Sequence, residues 1–99
     1  MTTLDSRKAA EDSLNSLIAS VQAQPASAAH EAFLKECEAL RVAIRAFHME
    51  GIRFRMFNVD RMINRETVAL ADDARQAFSD VRRHLEAAGF HTRSHQAPS

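Results

Sequence analysis

The chain has 99 residues, enough for one domain around a single hydrophobic core and too few for a two-domain enzyme. Hydrophobic residues make up 45% of the chain, which excludes a disordered protein, and two glycines with two prolines are too few for the turns of a β-sandwich or barrel. The formal net charge is zero, so no overall field draws the molecule to nucleic acid or to an anionic membrane. We expect one all-α domain over residues 1–90 and a flexible tail over 91–99.

The single cysteine and the N-terminal residues bear on the cellular compartment. Cys37 has no partner for an internal disulfide, which excludes a disulfide-stapled secreted module. The opening residues, MTTLDSRKAAED, contain no apolar segment of the signal-peptide kind, and no apolar run approaches the ~18 residues of a membrane span. These features predict a cytoplasmic protein with no membrane partner.

The first two of three helical segments lie on either side of Pro25. The first covers about residues 4–23, and its apolar stripe comprises Ala10, Leu14, Leu17, Ile18 and Val21. The second covers about 27–50, with Ser27 as a candidate N-cap. Its heptad seam comprises Phe33, Cys37, Leu40, Ile44 and Phe47. Gly51 followed by Ile52 is typical of a C-capping glycine, and Gly89 followed by Phe90 repeats the pattern at the end of the third segment.

The third segment predicts a long helix over residues 59–88, with Asn58 or Asp60 as its candidate N-cap. Its apolar positions advance by three or four throughout: Val59, Ile63, Thr67, Leu70, Ala74, Phe78, Val81, Leu85 and Ala88. A break near residues 64–67, with a separate helix after it, is the alternative. Unbroken, this rod would measure ~45 Å and form an antiparallel hairpin with segment 27–50. A compact chain of this length is only ~34 Å across. The overhang predicts an elongated bundle completed by homodimerisation.

Residues 52–57 fit neither a helix nor a strand cleanly. A helix places Ile52 and Met56 on the core side and leaves Phe54 and Phe57 elsewhere, whereas a strand places Arg53, Arg55 and Phe57 on one side. Neither a helix nor a strand buries all four large apolar residues of this segment against one surface; they are Ile52, Phe54, Met56 and Phe57. We interpret Arg53, Phe54, Arg55 and Phe57 as a partner-binding surface, because aromatic residues and arginine are enriched in interfaces. The alternative is a helix–helix connection whose phenylalanines close the end of the bundle.

Charge is distributed unevenly along the chain. Residues 1–40 have a net charge of −3 and residues 41–65 a net charge of +4, carried by six arginines against Glu50 and Asp60. Arg41, Arg45, Arg61 and Arg65 are candidate contacts for an anion or a nucleic acid, and Arg41 and Arg45 lie one turn apart. A solvated or internally paired arginine face is the plainer interpretation. A DNA-binding ribbon–helix–helix dimer, with residues 52–57 as its strand, is the rival architecture.

The sequence carries little that predicts catalysis or a cofactor. It has no glycine-rich phosphate loop and no nucleophile elbow, and Cys37 lies on an apolar seam between two glutamates, which does not favour a reactive thiolate. His91 and His95 have helical spacing, but they fall in the tail. We expect no enzyme, no metal site and no cofactor. The predicted function is a homodimeric interaction or regulatory module that binds itself and another protein; a small DNA- or RNA-binding regulator is the alternative.

Overall fold

The computed structural model describes residues 3–66 and 68–90, and within them the chain forms four helices and no strand. The helices are α1 (Thr3–Gln22), α2 (Ala28–Arg45), α3 (Met49–Asn64) and α4 (Asp72–Ala87). The all-α class is confirmed, but the number of helices is four rather than three. The predicted tail over 91–99 lies outside the described residues.

Successive helices run antiparallel, and α1 packs against both α2 and α4 while α3 packs against α2. The carbonyl of Arg45, at the end of α2, accepts a hydrogen bond of 3.0 Å from the guanidinium of Arg7 near the start of α1. Ser20, near the end of α1, donates a hydrogen bond of 3.2 Å to Asp73 at the start of α4. One end of the bundle therefore holds the start of α1, the α2–α3 turn and the end of α4. The opposite end holds the α1–α2 and α3–α4 connections.

The core lies within a single chain, and each of the four helices contributes an apolar face to it. The largest fully buried side chains include Leu14 and Leu17 of α1, Phe33, Leu40 and Ile44 of α2, Ile52, Met56 and Val59 of α3, and Val81 and Leu85 of α4. The stripes predicted for the first two segments are buried, except that Ile18 is partly buried and Phe47 is exposed. The radius of gyration is 12.7 Å, which is the size of a compact single domain.

The continuous helix predicted over 59–88 is wrong, and the break that was its alternative is present. The amide of Glu66 donates to the carbonyl of Ile63, and Glu66 itself takes a φ of 54°, which ends α3. Val68 then turns into the core, where it is only 2% exposed. The three-or-four spacing continues across the break because the two helices cover the same core. Asn58 and Asp60, the candidate N-caps, lie inside α3, whose N-cap is His48.

Without the rod, helix length no longer predicts a dimer. α3 and α4 have 16 residues each, so each is about 24 Å long and neither overhangs the bundle. The predicted hairpin between 27–50 and 59–88 is wrong as well, because the partner of α2 in the hairpin is α3. Residues 52–57 lie within α3, which also rules out a ribbon–helix–helix strand there.

Gly51 does not end α2, which stops at Arg45. Phe47 takes the left-handed conformation expected of a glycine, with a φ of 56°, and the amide of His48 donates to the carbonyl of Ala43 at 3.0 Å. Gly89 does close α4 as predicted, with a φ of 96°. Ser27 is confirmed as the N-cap of α2, accepting a hydrogen bond from the amide of His30.

Candidate docking surface at one end of the bundle

Five large apolar side chains are exposed in the described residues, and all five lie at the end of the bundle that holds the α2–α3 turn. They are Leu4, Val42, Phe47, Met49 and Phe54, each between 45% and 58% exposed. Leu4 is in the first turns of α1, Val42 is near the end of α2, and the other three lie in or just after the α2–α3 turn. We call this region the apolar end. A cluster of exposed apolar side chains marks a candidate binding surface.

The apolar end includes an open groove of about 480 Å³ between α2 and α3. Ala39, Val42, Ala43 and Ala46 line it from α2 and its C-cap, and His48, Gly51, Phe54 and Arg55 line it from the turn and α3. Alanine and glycine project little from their helices, which leaves space between the larger side chains of Val42 and Phe54. The groove therefore combines a shallow floor with two exposed apolar side chains.

An ion pair between the helices holds one side of the groove. The Arg55 guanidinium lies 3.1 Å from a carboxylate oxygen of Glu36, and the same carboxylate accepts a hydrogen bond of 3.3 Å from the side-chain amide of Asn58. The guanidinium also lies 5.1 Å from the centroid of the Phe54 ring, within cation–π range. Arg55 thus connects α3 to α2 and positions the exposed ring of Phe54 beside the groove.

The structure divides the four residues predicted to bind a partner. Phe54 and Arg55 line the groove, but Arg53 and Phe57 do not. Both of these are half-buried, and Phe57 lies under the Arg61 guanidinium, 5.2 Å from its ring centroid. The groove therefore includes two of the four residues that the sequence assigned to partner binding.

The candidate anion contacts are also divided. Arg41 pairs with Glu38 and donates to the side-chain oxygen of Asn15 at 2.9 Å, so it does not join Arg45 in gripping one anion. Arg45 pairs with Glu11. Arg61 and Arg65 are exposed on α3 and at its C-cap, and neither forms an ion pair within the described residues.

A second cluster closes the apolar end where three helix ends meet. The ring of Phe47 stacks on that of Phe90, with 5.9 Å between centroids, and the Arg7 guanidinium lies 4.2 Å from the Phe47 centroid. Arg7 also donates to the backbone carbonyl of Arg45 at 3.0 Å. We call Arg7, Phe47 and Phe90 the clamp, because they join the start of α1, the end of α2 and the end of α4.

Cys37 has no catalytic setting. Burial, and secondarily the charge of Glu36, raise the pKa of its thiol to about 12, so the nucleophilic thiolate is not formed near neutral pH.

Within residues 3–66 and 68–90, no three His, Cys, Asp or Glu side chains are grouped closely enough to hold a metal ion. His91 and His95 lie outside those residues. Across the described helices, none combines the length and apolarity that a membrane span needs.

Sequence reasoning missed most of the groove, although one signal for it was present. Val42 is a large apolar residue that lies off the seam formed by Leu40 and Ile44, as expected of a residue facing away from the core. Ala39, Ala43 and Ala46 gave no such signal, because alanine is common throughout the chain.

Comparison with protein-family models, with curated proteins and with solved structures found no match to this chain.

Proposed function

We propose that this protein is a non-enzymatic interaction module that associates with a second copy of itself through the apolar end, with Val42 and Phe54 at the centre of the contact. The observation that carries this proposal is the placement of all five exposed large apolar side chains at one end of the bundle. The groove beside Phe54 gives an incoming aromatic ring a place to pack.

The apolar area at this end is of the size that a dimer needs. Each of the five side chains is about half exposed and contributes on the order of 100 Å², so together they offer roughly 500 Å². A standard interface buries about 800 Å² on each partner, of which about 450 Å² is apolar. The apolar end therefore matches one side of a standard dimer interface.

The charges around the apolar end favour a second copy over a strongly charged partner. A two-fold interface sets the same surface against itself, so a rim of one sign would repel its own copy. The acids near the apolar end are Asp5, Glu11 and Glu50, and the bases are Arg7, Lys8, Arg45, Arg53 and Arg55. Arg45 and Arg55 are paired with Glu11 and Glu36, so the rim carries both signs, which a second copy of the same surface tolerates.

Sedimentation velocity tests the proposal directly. We expect wild-type protein to be dimeric at about 50 µM, and Phe54→Asp to raise the dimer dissociation constant at least tenfold, to about the micromolar-to-millimolar range. Val42→Asp is expected to act in the same direction, since its side chain is 58% exposed on the other side of the groove. Ala69→Asp adds the same charge at the exposed opposite end and serves as the matched control.

Two results would contradict the proposal. One is a wild-type protein that sediments as a monomer over the whole concentration range. The other is a dimer that Phe54→Asp and Ala69→Asp weaken equally, because the groove would then have no special part in the contact.

A second candidate function is contact with a nucleic-acid backbone through Arg53, Arg61 and Arg65. The observation in its favour is that these three have no ion pair within the described residues, whereas Arg41, Arg45 and Arg55 are paired with glutamates. Binding of a fluorescent duplex that weakens steeply with salt, and that Arg53→Gln/Arg61→Gln reduces, would support it. Binding that survives this double substitution would remove it.

A further inference from the structure

His48 is the N-cap of α3, and its imidazole makes the capping hydrogen bond. The Gly51 amide donates to Nδ1 of His48 at 2.9 Å. Because Nδ1 accepts this bond, it carries no proton, and the ring proton of the neutral imidazole is on Nε2. The first turn of α3 is thus closed by a side chain whose bonding depends on its protonation state.

Gly51 provides the space for this cap. A Cβ atom at position 51 would lie 2.5 Å from Nδ1 of His48, closer than a side chain allows. Glycine is otherwise unfavourable within a helix, and the conformation of Gly51 is helical. The glycine in this turn is therefore explained by the imidazole packed over it.

The same two residues line the groove between α2 and α3. We propose that protonation of His48 releases the first turn of α3 and so weakens association at the groove, which makes the apolar end a pH-dependent binding surface. Protonated imidazole donates at both nitrogens and has no acceptor for the Gly51 amide. It also sets a positive charge at a helix N-terminus, where the helix dipole disfavours it. The effect on binding rests on the proposed function, whereas the effect on the helix turn does not.

Charged groups of α1, α2 and α3 lie at this end of the bundle. Arg55 lines the same groove as His48. From α2 and α1, Arg45 is engaged with Glu11, and Arg7 lies over the Phe47 ring. Glu50 lies in the same turn of α3. From α4, the ring of Phe90 is uncharged and stacks on Phe47.

The hydrogen bond from the Gly51 amide to Nδ1 of His48, which we call the latch, can be tested by amide hydrogen exchange at Gly51 in the full chain. Histidine ordinarily changes charge between about pH 5 and 8, so the Gly51 protection factor is expected to be at least about fivefold lower at about pH 5.5 than at about pH 7.5, the size of effect that loss of an N-cap gives. His48→Asn keeps a capping side chain that does not titrate, and its Gly51 protection should stay constant. His48→Ala should show low protection at both pH values.

Two matched outcomes would overturn the latch. One is equal Gly51 protection in His48→Ala and wild type at about pH 7.5, because the imidazole would then make no cap. The other is a parallel pH dependence in wild type and His48→Asn, which would place the titrating group elsewhere. His30→Asn, at the opposite end of the bundle, controls for histidines in general and should behave as wild type.

Sedimentation of the same variants separates the latch from the docking surface. We expect the wild-type dimer dissociation constant to rise at least about fivefold from about pH 7.5 to about pH 5.5. The dissociation constant of His48→Asn should be the same at both pH values. If Gly51 protection titrates but dimerisation does not, the pH control of binding is wrong although the cap is present. If Phe54→Asp leaves dimerisation intact, the proposed function fails whatever Gly51 does.

Discussion

At the apolar end, five large apolar side chains are exposed and three helix ends are joined by the clamp, whereas at the opposite end the described residues expose no large apolar side chain. Ser27 there caps its own helix through the amide of His30, three residues away, at 3.1 Å. At the apolar end, Arg7 reaches the carbonyl of Arg45, which is 38 residues away in the chain.

The two ends of the bundle are therefore held together by different kinds of contact. At the opposite end, the Ser27 cap contributes about 1 kcal/mol, and distant segments are joined by an exposed hydrogen bond from Ser20 to Asp73. The apolar end relies on aromatic packing between distant segments, which contributes more and also exposes the surface we propose for docking. Substitutions matched between the two ends therefore measure whether the ends differ as the structure indicates.

The largest expected difference is between Phe90→Ala and Leu70→Ala. Phe90 is 6% exposed and stacks on Phe47, so its truncation should lower the free energy of unfolding by about 3 kcal/mol. Leu70, before α4 at the opposite end, is only partly buried against the core, and its truncation should cost about 1 kcal/mol. Urea denaturation measures both. Equal losses would mean that the clamp contributes no more than an ordinary partly buried contact.

Glycine substitutions at two left-handed residues should have opposite signs. Phe47 and Glu66 both follow a helix C-cap, with φ values of 56° and 54°. Glu66→Gly should raise the free energy of unfolding by about 0.5–1 kcal/mol. The left-handed strain that it removes is larger than the opposing cost of the extra freedom that glycine gives the unfolded chain. Phe47→Gly should lower it by about 1–2 kcal/mol, since the stacking on Phe90 and the contact with Arg7 are lost.

The same denaturation experiment decides this pair. A stabilising effect at both positions would show that Phe47 is held in its conformation without useful contacts. A destabilising effect at both would show that Glu66 makes contacts beyond those of its backbone.

The sequence was informative for most local contacts, although not for Gly51, which does not end α2. The Ser27 cap, the Gly89 ending and the stripes of α1 and α2 follow from residues within a few positions of each other, and the structure confirms them except at Ile18 and Phe47. The end of α2 was not predictable in this way. Phe47 occupies a position typical of glycine, and its stacking partner Phe90 is distant in the chain.

The break between α3 and α4 shows a different limit. Periodicity reports which residues face the core but not whether one helix or two present them. Ile63 and Ala74 face the same core from separate helices, so their spacing continued through a connection that carries no glycine or proline. In the candidate site, Phe54 was found from its residue type, whereas the alanine floor of the groove has no pattern of its own.

The smallest expected effect is at the start of α4, the one helix start in the opposite end that has no side-chain cap. Ala71 holds an extended N-cap backbone, with φ −69° and ψ 164°, but has no side-chain oxygen to accept an amide of the first turn. Ala71→Ser should raise the free energy of unfolding by about 0.5–1 kcal/mol, and Ser27→Ala should lower it by about the same amount. Chemical denaturation measures both changes.

Neither of these substitutions should alter dimerisation, because both lie at the end remote from the groove. His48→Ala removes a cap of the same kind at the apolar end, and it is expected to weaken association as well as stability. If Ala71→Ser or Ser27→Ala shifts the dimer dissociation constant as much as His48→Ala does, the ends are coupled through the bundle. The contrast between an end without exposed large apolar side chains and a binding end would then be lost.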